Sequence, residues 1–231
     1  MKRHELDDGT VLTIQAPMGP PGTVAAAVAV LFDGQPMINA GVSGTLLTLQ
    51  DEAIIPPLML VAVESIEGST PRGPTRCASL TNPGILGRFV RSLEGFLEHE
   101  FDGLPSQARR LVLGHSLGGN AALYVACHWP HLFGGVVTGS AALYWPGDDD
   151  QLAGRRVVED VLASPGLRFW MQAGSEEDAD LLAANRDLWQ RADEAGLDLV
   201  HREFQGGHDL AAFKVGLAVA MPHLLSGSAL R

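Results

Sequence analysis

Two residue types that often announce special chemistry or a special partner are nearly missing from this chain. Cysteine occurs only as Cys77 and Cys127 in 231 residues, too few for a disulfide framework and without the Cys/His spacing of a zinc site. Lysine occurs only as Lys2 and Lys214, and 16 Lys+Arg against 27 Asp+Glu leave a net charge of -11. No basic face is therefore available for nucleic acid or an anionic membrane. No window approaches the ~18 uninterrupted apolar residues of a membrane span. The opening "MKRHELDDGTVLTIQAP" has basic residues but no apolar h-region, so it does not read as a secretory signal, and the expectation is a soluble, cytoplasmic protein. Repeats, low-complexity tracts and linkers are also missing.

What is present suits one globular domain over 1 to 231, since 46% hydrophobic and 19% charged residues support a sizeable core. Short apolar runs, "TVAAAVAVLF", "LMLVAVES", "RRLVLGH", "GGVVTGS", "LRFWMQAG" and "LDLVHREF", alternate with stretches of helical period. Helices are predicted at about 83 to 100, 117 to 128, 151 to 163, 179 to 195 and 209 to 225. The segment "GTVLTIQAP" reads as an edge strand or hairpin partner, "PMGPPGT" as a surface loop, and "GDDD" at 147 to 150 as an acidic turn. Strands apolar on both faces belong to a parallel sheet covered by helices, which predicts a three-layer α/β sandwich. Sites in such sheets form beyond the carboxyl ends of the strands.

One such end carries Gly114-His115-Ser116-Leu117-Gly118. Gly-x-Ser-x-Gly arises by chance in a chain of this composition with a probability of roughly 0.16, so its setting has to decide. An apolar strand precedes it, and the helix "LGGNAALYVACHW" follows, with Gly118, Gly119, Ala121 and Ala122 permitting close packing. That is the setting of a nucleophile elbow, in which a tight turn pushes the serine hydroxyl above the sheet and leaves the Leu117 N–H free for a developing oxyanion. A serine needs a base held by a carboxylate, in the chain order Ser, acid, His. His208, in "REFQGGHDL", follows the last strand through two glycines and precedes a helix. His4, His99, His128, His131, His201 and His223 read as surface or helix-end residues, and His115 as pointing to the wrong side of the elbow. The loop "SEEDAD" offers Glu176, Glu177, Asp178 and Asp180 as the acid, and some of these must serve as helix caps. Asp209 is a poor candidate because neighbours rarely orient each other's rings. Asp33-Gly34-Gln35 ends the first long strand, and the Gln35 N–H is the natural second donor beside Leu117; a plain Asp-Gly turn is the alternative. Cys127, in "AALYVACHW", reads as a buried thiol.

These segments resemble the putative-esterase family of α/β-hydrolases, which includes ferric-siderophore (enterochelin) esterases, feruloyl esterases, S-formylglutathione hydrolases and mycolyltransferases. The resemblance runs from residue 28 to about 220 through "VLFDGQ", "PTRCASLTNPG", "GHSLGGNAALYVACHWPHLFGGVVTGSAALYW" and "GSEEDADLLAANRDLWQRADEAGLDLVHREFQGGHD". It is strongest to the siderophore-esterase branch, through the Arg76 segment, "LFGGVVTGSAALYW" and "GGHD". It implies Ser116 as nucleophile, His208 as base, Glu177 as the acid, Gln35 and Leu117 as oxyanion donors, Arg76 as a substrate-binding residue and Trp145 as a flank of the pocket; an Arg76 that only pairs with a nearby acid and a Trp145 that belongs to the core or rim are the alternatives. Three departures stand out. Only about 23 residues precede the first core strand, where the branch that cleaves large ferric siderophores can carry an extra domain. The Arg segment has Cys77 and Ser79 where the family often has polar or acidic residues. The charge of -11 also disfavours a strongly anionic ferric complex.

The expectation is a serine hydrolase that cleaves a small-molecule carboxylic ester, of siderophore or feruloyl type, through an acyl-enzyme. It needs no metal and no organic cofactor, because the side chains activate the nucleophile. Acyl transfer from the same intermediate is the alternative within enzymes, and a non-catalytic binding protein on a hydrolase scaffold the alternative outside them. A homo-oligomer is compatible with the sequence. Specificity is expected to lie in loops at 36 to 50, 66 to 82 and 144 to 156.

Overall fold

A computed structural model describes residues 1–20, 22–67, 74–101, 103–148 and 151–225. Its strands are β1 (Lys2–Glu5), β2 (Val11–Gln15), β3 (Ala27–Leu31), β4 (Leu58–Ser65), β5 (Arg110–His115), β6 (Gly135–Gly139), β7 (Arg168–Gly174) and β8 (Leu199–Phe204). They form one sheet in the order β1-β2-β4-β3-β5-β6-β7-β8. β1 and β2 run antiparallel to their neighbours and the rest are parallel. The inner strands "AVAVL" of β3 and "GVVTG" of β6 are buried at every residue, as strands covered on both faces must be.

The helices are α1 (Gly34–Asn39), α2 (Val42–Asp51), α3 (Pro74–Thr81), α4 (Pro83–Glu100), α5 (Leu117–His128), α6 (Gly154–Leu162), α7 (Ala179–Ala195) and α8 (Leu210–Leu225). One face of the sheet packs against α4, α5, α6 and α7, with Phe89, Leu93, Ala122, Val157 and Leu188 in its core. The other packs against α1, α2 and α8 through Met37, Leu46, Phe213 and Leu217. This is the predicted three-layer α/β fold. None of the described helices is long and apolar enough to cross a membrane.

The topology itself selects a place for chemistry. From β3 the chain crosses to β4 on one side, and from β4 it returns to β5 on the other side of β3. The order therefore reverses between β3 and β5, and the helices leaving their carboxyl ends part to opposite faces. A crevice forms at such a switch point.

Several expectations need correction. The segment at 9 to 17, expected as an edge strand or hairpin partner, is β2, the hairpin partner; the edge itself is the unexpected β1, whose sequence "KRHE" lies mostly exposed and carries no apolar alternation to reveal it. Residues 36 to 50 belong largely to α1 and α2; Pro36, Gly41 and Gly44 break up their apolar period. Within 66 to 82, α3 covers Pro74–Thr81, while 68 to 73 lie outside the described residues, as do 149 and 150 of the acidic turn. The helix expected from 151 starts at Gly154.

Candidate active site

The carboxyl ends of β3 and β5 lie side by side, with Leu31 opposite Leu113 and the Phe32 N–H donating to the Leu113 carbonyl at 3.0 Å. Ser116 follows β5 at φ 58° and ψ -126°, a conformation costly for any residue with a Cβ and sustained only where the surroundings dictate it. Those surroundings are explicit. The Ser116 N–H donates to the Gly139 carbonyl at 3.0 Å, and its own carbonyl accepts from the N–H groups of Gly119 at 2.9 Å and Ala142 at 3.2 Å. A Cβ on Gly114 would lie 2.0 Å from the Gly118 carbonyl oxygen, so only glycine lets strand and helix meet so tightly.

Ser116 caps α5, so the Leu117 N–H is among the first-turn donors without a helical acceptor. Asp33, left-handed at φ 56° and ψ 46°, turns the chain from β3 into α1. The first described closing bond of α1 runs from the Met37 N–H to the Asp33 carbonyl at 3.1 Å, leaving Gln35 in the donor-rich first turn. The Gln35 side chain bonds Asn39 Oδ1 at 2.9 Å. Two helix N-termini thus converge from neighbouring strands, which favours negative charge between them.

β7 and β8 supply the acid and histidine loops, and backbone bonds bind these loops to each other. The Ser175 N–H donates to the Phe204 carbonyl at 2.8 Å and the Glu176 N–H to the Gly206 carbonyl at 2.9 Å. On that base His208 Nδ1 lies 2.7 Å from Glu177 Oε2. The Glu177 side chain is fully buried, whereas His208 is 44% exposed. Glu177 Oε1 accepts from the Ser140 hydroxyl and from the Gly174 N–H, the latter at 3.0 Å. Burial opposes ionisation of this carboxyl, but the bonds from His208, Ser140 and Gly174 outweigh it and hold its pKa below the ordinary glutamate value. Of the other acids, Asp178 caps α7 through the Asp180 and Leu181 N–H groups, and Glu176 and Asp180 are exposed. Asp209 accepts from the Ala211 N–H at 2.8 Å at the start of α8.

His115 is not turned away from the site, as the sequence suggested. Its ring centroid is 4.5 Å from that of His208 and 5.9 Å from that of Phe213, so the residue before Ser116 forms the floor beneath the His208 ring. Burial, assisted by the neighbouring His208, pushes its pKa from 6.5 down to about 4. The unfolded chain would take up a proton here near pH 6.5 and the folded chain would not, so the stability contribution is present above pH 6.5 and is lost as pH falls towards 4. The size is about 3 kcal/mol. His115→Leu is expected to flatten that part of the stability profile, read as urea midpoints between pH 7 and pH 4.5; an unchanged difference between the two pH values would contradict it.

Arg76, on α3, donates to Asp33 through Nε and Nη2, each at 2.6 Å. The two side chains are 25% and 9% exposed. Asp33 also lies over α5, since a Cβ on Gly118 would be 2.7 Å from Asp33 Oδ2. Arg76 therefore braces the turn that carries Gln35. Trp145 sits beyond β6, half-buried against the core, and its Nε1 donates to Gln151 Oε1 at 3.2 Å. Cys127, expected to be buried, is half-buried against the core, and desolvation pushes its thiol up to about 12. Among the described residues no group of three or more His, Cys, Asp and Glu converges as metal ligands would.

The family model described as "Putative esterase" matches residues 12–224. The chain belongs to this family. Within it, the iron(III) enterobactin esterase of Dickeya dadantii (strain 3937) is 28% identical over 195 residues, covering 75% of this chain and 41% of that protein. The chain spans less than half the length of the curated relatives it matches first. A solved enterobactin esterase from Shigella flexneri superposes with a TM-score of 0.81 at 24% identity, covering 97% of this chain and 59% of that one. A ferulic acid esterase superposes with a TM-score of 0.78 at 16% identity, over 97% of this chain and 96% of that one. At these identities the superpositions establish the α/β-hydrolase-type fold of the esterase family.

Three residues of the site escaped the sequence reading: Asp33 as the partner of Arg76, His115 as the floor under His208, and Ser140 as a donor to Glu177. Ser140 had a visible signal. In "VVTGSAAL" a serine stands directly beyond an apolar strand that ends in glycine, much as Ser116 stands directly beyond "LVLGH", two residues after Gly114.

Proposed function

We propose that this esterase-family chain hydrolyses a carboxylic ester through an acyl-enzyme on Ser116. The observation that carries the reading is the 2.7 Å bond between His208 Nδ1 and Glu177 Oε2, on a ring that rests against the residue preceding a strained serine. With Glu177 ionised, Nδ1 carries the proton and Nε2 is left as the acceptor. Ser116 Oγ attacks the ester carbonyl and His208 takes its proton. The Gln35 and Leu117 N–H groups hold the oxyanion, and Glu177 offsets the imidazolium charge. The carbon–oxygen bond to the alcohol then breaks, and His208 returns the proton to the departing alcohol. Water repeats the attack on the acyl-enzyme, again through His208, and releases the acid. The chemistry needs no metal or organic cofactor.

For the substrate, the names of the relatives direct attention to enterobactin-type trilactones, and that of the fold neighbour to feruloyl esters. Arg76, already paired with Asp33 through Nε and Nη2, would offer such a substrate its remaining guanidinium N–H groups, and Trp145, on the loop beyond Ser140, would flank it. Incubation with a fluorophosphonate should place a mass adduct on Ser116, and p-nitrophenyl esters from acetyl to octanoyl should turn over. A protein that neither labels nor hydrolyses any of these would overturn the reading. Rates on a catecholate trilactone, a feruloyl ester and a simple alkanoyl ester rank the substrate classes. Added alcohol shows whether acyl transfer competes with water.

A further inference from the structure

Backbone strain among the described residues gathers at the carboxyl ends of neighbouring inner strands. Among the described residues, five without a glycine's freedom have positive φ, and three of them, Asp33, Ser116 and Ser140, directly follow or lie just beyond β3, β5 and β6, which are neighbouring strands. Asp33 turns the chain into α1 and Ser116 forms the elbow. Ser140, at φ 49° and 1% exposed, has no part in the chemistry set out above.

The turn it opens touches both halves of the site. The Ser140 N–H donates to the Gln172 carbonyl of β7 at 2.7 Å, and the Ala142 N–H donates to the Ser116 carbonyl at 3.2 Å. Two fully buried amides fix the carbonyls between and beyond, Asn185 Nδ2 to Ala141 at 2.8 Å and Asn120 Nδ2 to Ala142 at 2.9 Å. Ala141 in turn packs against α5, 3.3 Å from where a Cβ on Gly119 would lie. Residues 140 to 142 are therefore bolted to the elbow at one end and, through the Ser140 hydroxyl, to Glu177 Oε1 at the other.

We infer that Ser140 is a positioning residue that fixes the Glu177 carboxylate relative to the nucleophile elbow. The inference rests on the hydrolase reading above and adds to it a residue that acts through Glu177 without touching the ester. Glu177 Oε2 is taken by His208, while Oε1 has two donors, Ser140 and the Gly174 N–H. The Gly174 donor lies three residues away at the end of β7, where the acid's own loop begins. Ser140 is the donor from a different strand, so removing its hydroxyl frees the carboxylate to turn and cuts the acid loop's side-chain tie to the β6 turn. A glycine at 140 would relieve the strain, but the strained serine supplies the hydroxyl, as at other sites where function holds a residue in a costly conformation.

The test uses Ser140→Ala and Ser140→Gly, with folding checked by thermal unfolding. Glycine accepts this φ freely, so it keeps the turn if alanine does not. Both variants should lower kcat for a p-nitrophenyl ester by about 10- to 100-fold, the size of one hydrogen bond to a charged group, with KM within about twofold of wild type. In a Glu177→Ala background, adding Ser140→Gly should change kcat by less than about twofold, because its effect passes through Glu177. In the proton NMR spectrum the downfield His208 Nδ1 proton should shift in both single variants. Wild-type kcat in Ser140→Gly, or a multiplied loss in the double variant, overturns the inference. If the wild-type protein hydrolyses no ester, the hydrolase reading falls and the NMR signal alone decides: a shifted proton still supports Ser140 as the positioning residue of the Glu177–His208 pair, and an unmoved one overturns it.

Discussion

Ser116→Ala is expected to lower kcat/KM for a p-nitrophenyl ester by about 10⁴- to 10⁶-fold and to abolish the fluorophosphonate adduct. No other hydroxyl can take over, because the attacking atom must stand at the switch point between β3 and β5, in front of the α1 and α5 N-termini. Alanine keeps the strained backbone at φ 58° and ψ -126°, so the variant should fold with little gain or loss of stability. Ser116→Gly should be just as inactive yet about 1 kcal/mol more stable than the alanine variant, because glycine meets no Cβ penalty at positive φ. Denaturant midpoints and initial rates on the three proteins check both halves. Retention of more than a few per cent of the wild-type rate in either variant would place the nucleophile elsewhere. Equal stability of the two variants would mean that the elbow stores no strain.

The fold was legible where burial on both faces made the strands continuously apolar, as in β3, β4, β5 and β6, and where helices kept an unbroken period, as in α4 and α7. It was not legible where either signal failed. β1 is a polar edge strand held by pairing to β2, and no apolar pattern records a partner that lies across a turn. The apolar period of α1 and α2 is interrupted by Pro36, Gly41 and Gly44; of these, Gly41 is required by the left-handed turn between the two helices. The candidate site divides the same way. Ser116 and His208 stood out because glycines mark the turns that present them. Glu177 was one of four acids in its loop, and only the resemblance to the esterase family favoured it, since helix caps and a histidine partner draw on the same side chains. Contacts between segments distant in the chain left no local mark: Asp33 with Arg76, 43 residues apart, and Ser140 with Glu177, 37 apart. His115 was misjudged because alternation along β5 assigns it to the α8 face; the helix after His208 was legible, but not that the turn before it lays the His208 ring against His115.

Glu177→Gln is expected to lower kcat by about 10²- to 10⁴-fold with little change in KM, whereas Glu176→Gln, on an exposed side chain, should stay within about twofold of wild type. The size of the loss follows from which end of the amide faces His208. On the Oε1 side the Gly174 N–H stands 3.0 Å away and can only donate, so the glutamine oxygen must take that position and its NH2 group must face His208 Nδ1. A donor opposite Nδ1 forces the imidazole proton onto Nε2, the nitrogen that accepts the proton of Ser116 in the proposed mechanism. The variant therefore keeps the shape of the site and loses the tautomer that makes it work, which is why the loss should fall on kcat and leave binding intact. Glu177→Ala leaves His208 free to choose its tautomer and should retain as much activity as the glutamine variant or more. Activity greater in Glu177→Gln than in Glu177→Ala would contradict the tautomer argument, and a large loss in Glu176→Gln would move the acid to the neighbouring residue.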